Sequence, residues 1–400
     1  MTLHHVILVP GFFGFGKFGE ISYFHGVDEA LTRAFARLGV AVRITEVSTL
    51  PTASIRHRAA RVLETLAEVT EREPGPLHLV GHSTGGLDAR LAIAPTASLP
   101  TPVKFTAYDR VRTVVTVCCP HFGTPVATYF TSVFGRWLLR TGASYLAFML
   151  DRGRVPLKLL LRLGYWIVRL RDPRRKRRGT FDQLYEKLLD DLSEERRVEL
   201  VEFLRAVSSD QSLLFQLTPA GCDLLNACTA EPRLRYGSVV ARARPPSFRS
   251  LARSMLDLYT QLVHPAYWFL HRLAASPESR LIPEPAGAQR EKLLLLDSEL
   301  PSARDSDGIV PVHSQIWGSV LYLARADHLD VVGQYGEHSA ESWTGDWIPS
   351  YSEFDRAQFL ELWEAVAAFI AGVGDAEEIR EQRQDTARTA SDLPGFPPPP

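Results

Sequence analysis

The chain has 400 residues, 45% apolar and 23% charged, which is ordinary globular composition with enough length to bury a large core. Its formal net charge of −1 excludes a general electrostatic attraction to nucleic acid, so no nucleic-acid partner is expected. Four cysteines, Cys118, Cys119, Cys222 and Cys228, show no zinc-site spacing and are expected to be buried free thiols.

The short apolar run Val6–Val9 ends at a Pro-Gly turn and predicts a first strand. It is too short for the apolar region of a secretory signal, and no basic segment precedes it, so a cytoplasmic or peripheral-membrane location is expected. Residues 28–38 have a helical pattern and Ala41–Val47 predicts a second strand. Ile55, Ala59, Val62, Leu63, Leu66 and Val69 recur at helical spacing, followed by strand candidates Leu77–Val80 and Val111–Val117. Strands alternating with helices predict a mostly parallel α/β sheet, doubly wound, with helices on both faces.

Beyond Val126 that alternation stops. Residues 126–230 read as a large helical cap inserted after the fourth strand. The core then resumes over 231–373, with a further helical insertion near 248–275. Leu234–Ala241, Leu293–Leu296 and Val320–Ala324 read as returning strands, and Phe359, Leu362, Trp363, Val366, Phe369 and Ile370 mark a closing amphipathic helix. Residues 1–125 form the first part of the core, and the charged, proline-ended stretch 374–400 is expected to be a disordered tail.

The strongest chemical signal is Gly81-His82-Ser83-Thr84-Gly85-Gly86, a G-x-S-x-G pattern between an apolar strand and a helical stretch. That context is what a nucleophile elbow requires, because small residues let strand and helix approach at a sharp turn. It predicts the α/β-hydrolase fold with Ser83 as nucleophile. A serine hydroxyl needs a base and an orienting acid, and in this fold they follow in the order acid, then histidine. Asp307, in Ser306-Asp307-Gly308-Ile309-Val310-Pro311, and His328, in Asp327-His328-Leu329-Asp330, meet that order. Asp305, His313 and His338 are rivals. An acyl-transfer oxyanion needs two N–H donors, assigned to the amides of Thr84 and of Phe12 in the glycine-rich loop Pro10–Gly16.

Several segments together resemble the bacterial true lipases of the Pseudomonas and Burkholderia type. They are Val9-Pro10-Gly11-Phe12-Phe13-Gly14-Phe15, Tyr23-Phe24-His25-Gly26-Val27, Thr45-Glu46-Val47-Ser48, the elbow, Cys119-Pro120-His121-Phe122-Gly123-Thr124, and the segments around Asp307 and His328. The resemblance covers roughly residues 4–125 and 305–335. It implies a triacylglycerol lipase or related esterase with Ser83, Asp307 and His328 as triad and Phe12 and Thr84 as oxyanion donors. It also implies a structural calcium with Asp330 as carboxylate ligand and Gln334 as carbonyl ligand, although the chemistry itself needs no cofactor. The chain departs from the family at Pro10 and Thr84, where those lipases commonly carry histidine, and across the middle of the chain.

Arg154, Lys158 and Arg162 share one helical face ahead of the run Arg174–Arg178, so residues 152–178 are a candidate peripheral membrane contact or a packed cap helix with a solvated basic loop. Phe134, Trp137, Leu138 and Phe148 are candidates for an acyl pocket, with core packing an equal reading. The expected activity is hydrolysis of lipid-like carboxylic esters through an acyl-enzyme. An acyltransferase, a storage-polyester depolymerase and a non-catalytic membrane-binding scaffold are the alternatives.

Overall fold

A computed structural model describes residues 2–12, 14, 17–18, 21–132, 210, 212–247, 258–276, 278–279, 282–336 and 350–373. Strand β1, Leu3–Val9, is buried from His5 onward, as a strand covered on both faces must be. Its alternate side chains enter different layers. Val6 and Leu8 pack with the helix α1, Val27–Arg37, while Ile7 and Val9 pack against α2, Ile55–Arg72. Ser54 starts α2 by accepting the His57 amide, and the apolar stripe predicted from Ile55 to Val69 is the face that is buried.

Six strands form one sheet, all pairs parallel: β1, β2 (Ala41–Glu46), β3 (Leu77–His82), β4 (Val111–Val117), β5 (Arg235–Ala241) and β6 (Ser319–Ala324), in the order β2-β1-β3-β4-β5-β6. Register places Val9 opposite Gly81 and His82 opposite Val117. The carboxyl ends of β1, β3 and β4 therefore meet at one edge, where ligands of open parallel sheets bind. Helix α3, Thr84–Ala92, follows β3 directly. The chain leaves the sheet at Val117 and returns at Arg235, with α4 (Pro125–Thr131), α5 (Ser212–Gln216) and α6 (Pro219–Cys228) described in between.

After β5 come α7, Leu258–Ala274, and α8, Gly287–Leu296. The expected strand Leu293–Leu296 is thus the last turn of a helix. Gln289 closes a capping contact with the Ala286 amide, and Arg290, Glu291 and Lys292 favour helix, so the four leucines continue it. Leu293 alone among them is buried, against β6, while Leu295 is 82% exposed. The chain closes with α9, Arg356–Ala371, started by the Asp355/Gln358 capping box and ended at left-handed Gly372. Its face Phe359, Leu362, Trp363, Val366 and Ile370 packs with α1 on the sheet.

Cys118, Cys119 and Cys222 are buried free thiols, but Cys228 is exposed at the end of α6, a correction to the expectation for all four. The basic stretch 152–178, the residues Phe134, Trp137, Leu138 and Phe148, and the tail 374–400 lie outside the described residues. No helix among the described residues is long and apolar enough to cross a membrane.

Candidate active site

The turn after β3 is built from its glycines. A Cβ on Gly81 would run into the Gly85 carbonyl, one on Gly85 into the Val9 carbonyl, and one on Gly86 would come within 2.6 Å of Cys119 Sγ. Only hydrogens fit there, so strand and helix close together and Ser83 is forced to φ 53°, ψ −129°. That left-handed conformation is strained for a residue with a Cβ and is what lifts a nucleophile above the sheet.

Ser83 Oγ lies 2.9 Å from His328 Nε2, and His328 Nδ1 lies 2.6 Å from Asp307 Oδ2. All three side chains are buried. A carboxylate only accepts, so Nδ1 carries the proton and Nε2 is left to accept from the serine hydroxyl. The other Asp307 oxygen accepts the Ile309 and Val310 amides at 2.9 and 2.7 Å, and the His328 amide bonds the Asp307 carbonyl at 3.0 Å. The acid's turn follows a helix, and the Ala243 amide, just past β5, ties it to the sheet edge through the Ser306 carbonyl.

The rival residues are engaged elsewhere. Asp305 pairs with Arg242 at 3.1 Å, and His313 Nε2 meets the Pro301 carbonyl at 2.9 Å. His338 lies outside the described residues.

Thr84, the first residue of α3, has an amide with no intrahelical carbonyl to meet. Gly11 lies directly against Ser83, since a Cβ there would be 2.6 Å from the serine Cβ. Fully buried Arg58 donates from Nη2 to the Pro10 and Gly11 carbonyls at 2.7 and 3.0 Å, and from Nε to Asp88 at 2.8 Å. The Gly11–Phe12 peptide is trans, so with its carbonyl held by Arg58 its N–H points the opposite way. Burial outweighs the pull of Arg58 on Asp88 and lifts that carboxyl to about 7.

Tyr23 and His82 carry no role in the motif reading, yet they link three loops. Tyr23 Oη lies 2.7 Å from His82 Nδ1 and accepts the Gly11 amide, while His82 Nε2 lies 2.9 Å from the His328 carbonyl. That carbonyl only accepts, which fixes His82 as the Nε2–H tautomer with Tyr23 as donor to Nδ1. Burial holds His82 neutral, well below the usual histidine range, with His328 adding to the effect. The signal for Arg58 was present in the sequence: it stands three residues after Ile55 and four before Val62, on the apolar stripe of α2.

Asp330 and Gln334 are buried beside the His328 turn. Asp330 Oδ2 already accepts the Asp327 amide at 2.9 Å and the Ser352 hydroxyl at 2.7 Å. Among the described residues, no further pair of His, Cys, Asp or Glu ligands closes on Asp330. Calcium wants six or more oxygens. Together these bonds clamp the histidine turn, with Asp327 Oδ1 accepting the Leu329 and Asp330 amides in return.

Comparison with known proteins follows this geometry. A family model described as "Putative serine esterase (DUF676)" matches residues 2–154. The chain is similar to a triacylglycerol lipase of Vibrio cholerae, 36% identical over 88 residues, which are 21% of this chain and 26% of that one. It is also similar to a triacylglycerol lipase of Pseudomonas fragi, 30% identical over 132 residues, 32% of this chain and 38% of that one. The chain thus spans less than two fifths of either relative. Among solved structures, lipase 1 from Pelosinus fermentans is similar with a TM-score of 0.50 at 17% identity, covering 92% of this chain and 99% of that one. The fold is that of the α/β-hydrolases.

Proposed function

We propose that this chain is a serine hydrolase of carboxylic esters, acting on lipid-like substrates through an acyl-enzyme on Ser83, in the manner of the bacterial true lipases. The observation that carries this reading is the hydrogen-bonded line from Ser83 through His328 to Asp307, mounted on a strained elbow. The match of residues 2–154, which carry the elbow, to a serine esterase family supports it, as do the matches to two bacterial lipases.

His328 Nε2 takes the hydroxyl proton as Ser83 Oγ attacks the ester carbonyl, and Asp307 stabilises the imidazolium that results. The carbonyl electrons move onto oxygen, where the amides of Thr84 and Phe12 are the proposed donors; losing one such donor typically costs ~3 kcal/mol. Collapse expels the alcohol, which leaves with the proton from His328. Water, deprotonated by the same histidine, then releases the acid. No step needs a metal.

The substrate assignment rests on the lipase matches, and the reaction assignment rests on the triad. Hydrolysis of p-nitrophenyl esters from short to long acyl chains, by wild type and Ser83→Ala, tests both. Turnover that vanishes in Ser83→Ala and rises toward long acyl chains at a lipid interface is the expected result. Turnover that survives Ser83→Ala removes the nucleophile assignment.

A further inference from the structure

The strap at residues 350–355 leads into α9 and lies against the turn that carries His328. Ser350 Oγ donates to Asp327 Oδ2 at 2.7 Å, and Ser352 Oγ donates to Asp330 Oδ2 at 2.7 Å. Both serines and both carboxylates are buried. The carboxylates in turn bracket the histidine. Asp330 Oδ2 accepts the amide of Asp327, the residue before it, and Asp327 Oδ1 accepts the amides of Leu329 and Asp330, the two residues after it. Trp363 Nε1, on α9 itself, donates to the Val331 carbonyl at 3.2 Å. The turn is therefore tied to the closing helix and its strap on both sides of His328.

The strap is held in an unfavourable backbone. Among the described residues four that are not glycine have positive φ, and two of them, Tyr351 at 56° and Glu353 at 60°, flank Ser352. That conformation is strained for a residue with a Cβ and persists only where surrounding contacts impose it. Tyr351 meets His264 of α7 edge to face, with ring centroids 5.4 Å apart. The Phe354 amide donates to Ser352 Oγ at 3.2 Å, and the Phe354 ring is buried against Tyr335.

We propose that Ser350 and Ser352 are positioning residues for His328: two hydroxyl latches that fix the carboxylates framing its turn. They thereby keep Nε2 in reach of Ser83 and Nδ1 in reach of Asp307. This inference rests on the serine-hydrolase reading above. A base works only within hydrogen-bond reach of the proton it takes, and a misplacement of about 1 Å can cost ~10²-fold in rate. The bond from Ser83 to His328 is broken as the proton moves, so it cannot hold the ring through the reaction. The latches act on the backbone of the turn and stay intact throughout.

Ser350→Ala, Ser352→Ala and the double variant each remove a donor and add no bulk. Either hydroxyl alone still ties the turn, so each single variant is expected to lose roughly threefold in kcat at unchanged KM, and the double variant more than about tenfold. Proton NMR separates a displaced histidine from a general loss of stability. The proton on His328 Nδ1, deshielded by its 2.6 Å bond to Asp307, gives a far-downfield resonance that is assigned by its absence in His328→Ala. It is expected to broaden or vanish in the double variant at temperatures where urea melts show the fold intact. Wild-type kcat in the double variant, or a fall in kcat with that resonance unchanged, would overturn the positioning role. Should the double variant not fold, the single variants carry both readings. Labelling of Ser83 by a fluorophosphonate tells the two failures apart. A wild type that takes no label sinks the hydrolase assignment and this inference with it, whereas a labelled wild type with unaffected serine variants sinks the inference alone.

Discussion

The Asp307 carboxylate divides its oxygens between two kinds of donor, and that division sets what an asparagine would do. Oδ1 accepts two backbone amides that only donate, so in Asp307→Asn the side-chain oxygen stays with them and the amide nitrogen turns to His328 Nδ1. Nδ1 must then accept, the proton moves to Nε2, and the ring has no lone pair for the Ser83 hydroxyl. We predict a loss in kcat on the order of 10⁴-fold with KM little changed, read by steady-state kinetics on a p-nitrophenyl ester. A loss under tenfold would mean the acid does not set the tautomer. Ser83, Asp307 and His328 were legible because each sits in a local motif with its chain order fixed. Tyr23 and His82 were not, because their work depends on partners dozens or hundreds of residues away. His82, for instance, meets the carbonyl of His328, and no local spacing encodes that pairing.

At the scale of elements, α2 does more than cover the sheet. Its buried Arg58 ties the loop after β1 to Asp88 on α3, the helix that follows the elbow. Removing one partner of a fully buried pair costs about 3–5 kcal/mol; Asp88, lifted to about 7 even beside Arg58, is then left buried, protonated and without its guanidinium partner. Arg58→Met should therefore lower the unfolding free energy by that order and depress kcat. The double variant Arg58→Met/Asp88→Leu should regain most of the stability, since neither charge is left. Its kcat should stay low, because the Pro10 and Gly11 carbonyls still lack their anchor. Urea melts beside steady-state kinetics check this, and a double variant with wild-type kcat would show that Arg58 serves stability alone. Most helices and strands were legible from period, as the match of the Ile55–Val69 stripe to the buried face of α2 shows. Leu293–Leu296 was not, because four leucines in a row carry no period. Their helix is set by the residues before them.

For the whole molecule, the buried histidines set the acid limit. Burial holds His78 down to about 3, with His4 and Arg235 adding to it, and holds His82 and His121 well below the usual range. Each folded-state value lies below the unfolded value of about 6.5, so on acidification the unfolded chain takes the proton first. That stabilisation is complete above about pH 6.5 and is lost as pH falls, at about 1.4 kcal/mol per pH unit for each histidine still neutral in the fold. Asp88 and Asp327 act in the opposite sense. Burial raises them to about 7 and about 6, so between there and about pH 4 the folded chain holds protons that the unfolded chain has lost. The two effects oppose one another from about pH 6 to 4, and below pH 4 the histidines act without that offset. Stability should therefore decline gently from pH 6 to 4 and steeply below it, as read by urea midpoints at pH 6, 5, 4, 3.5 and 3. His78→Gln keeps a polar partner for Thr113, which His78 Nδ1 meets at 2.8 Å, and removes the titrating ring, so it should flatten the steep limb. Equal slopes above and below pH 4, or a His78→Gln limb as steep as wild type, would mean that other groups govern acid unfolding.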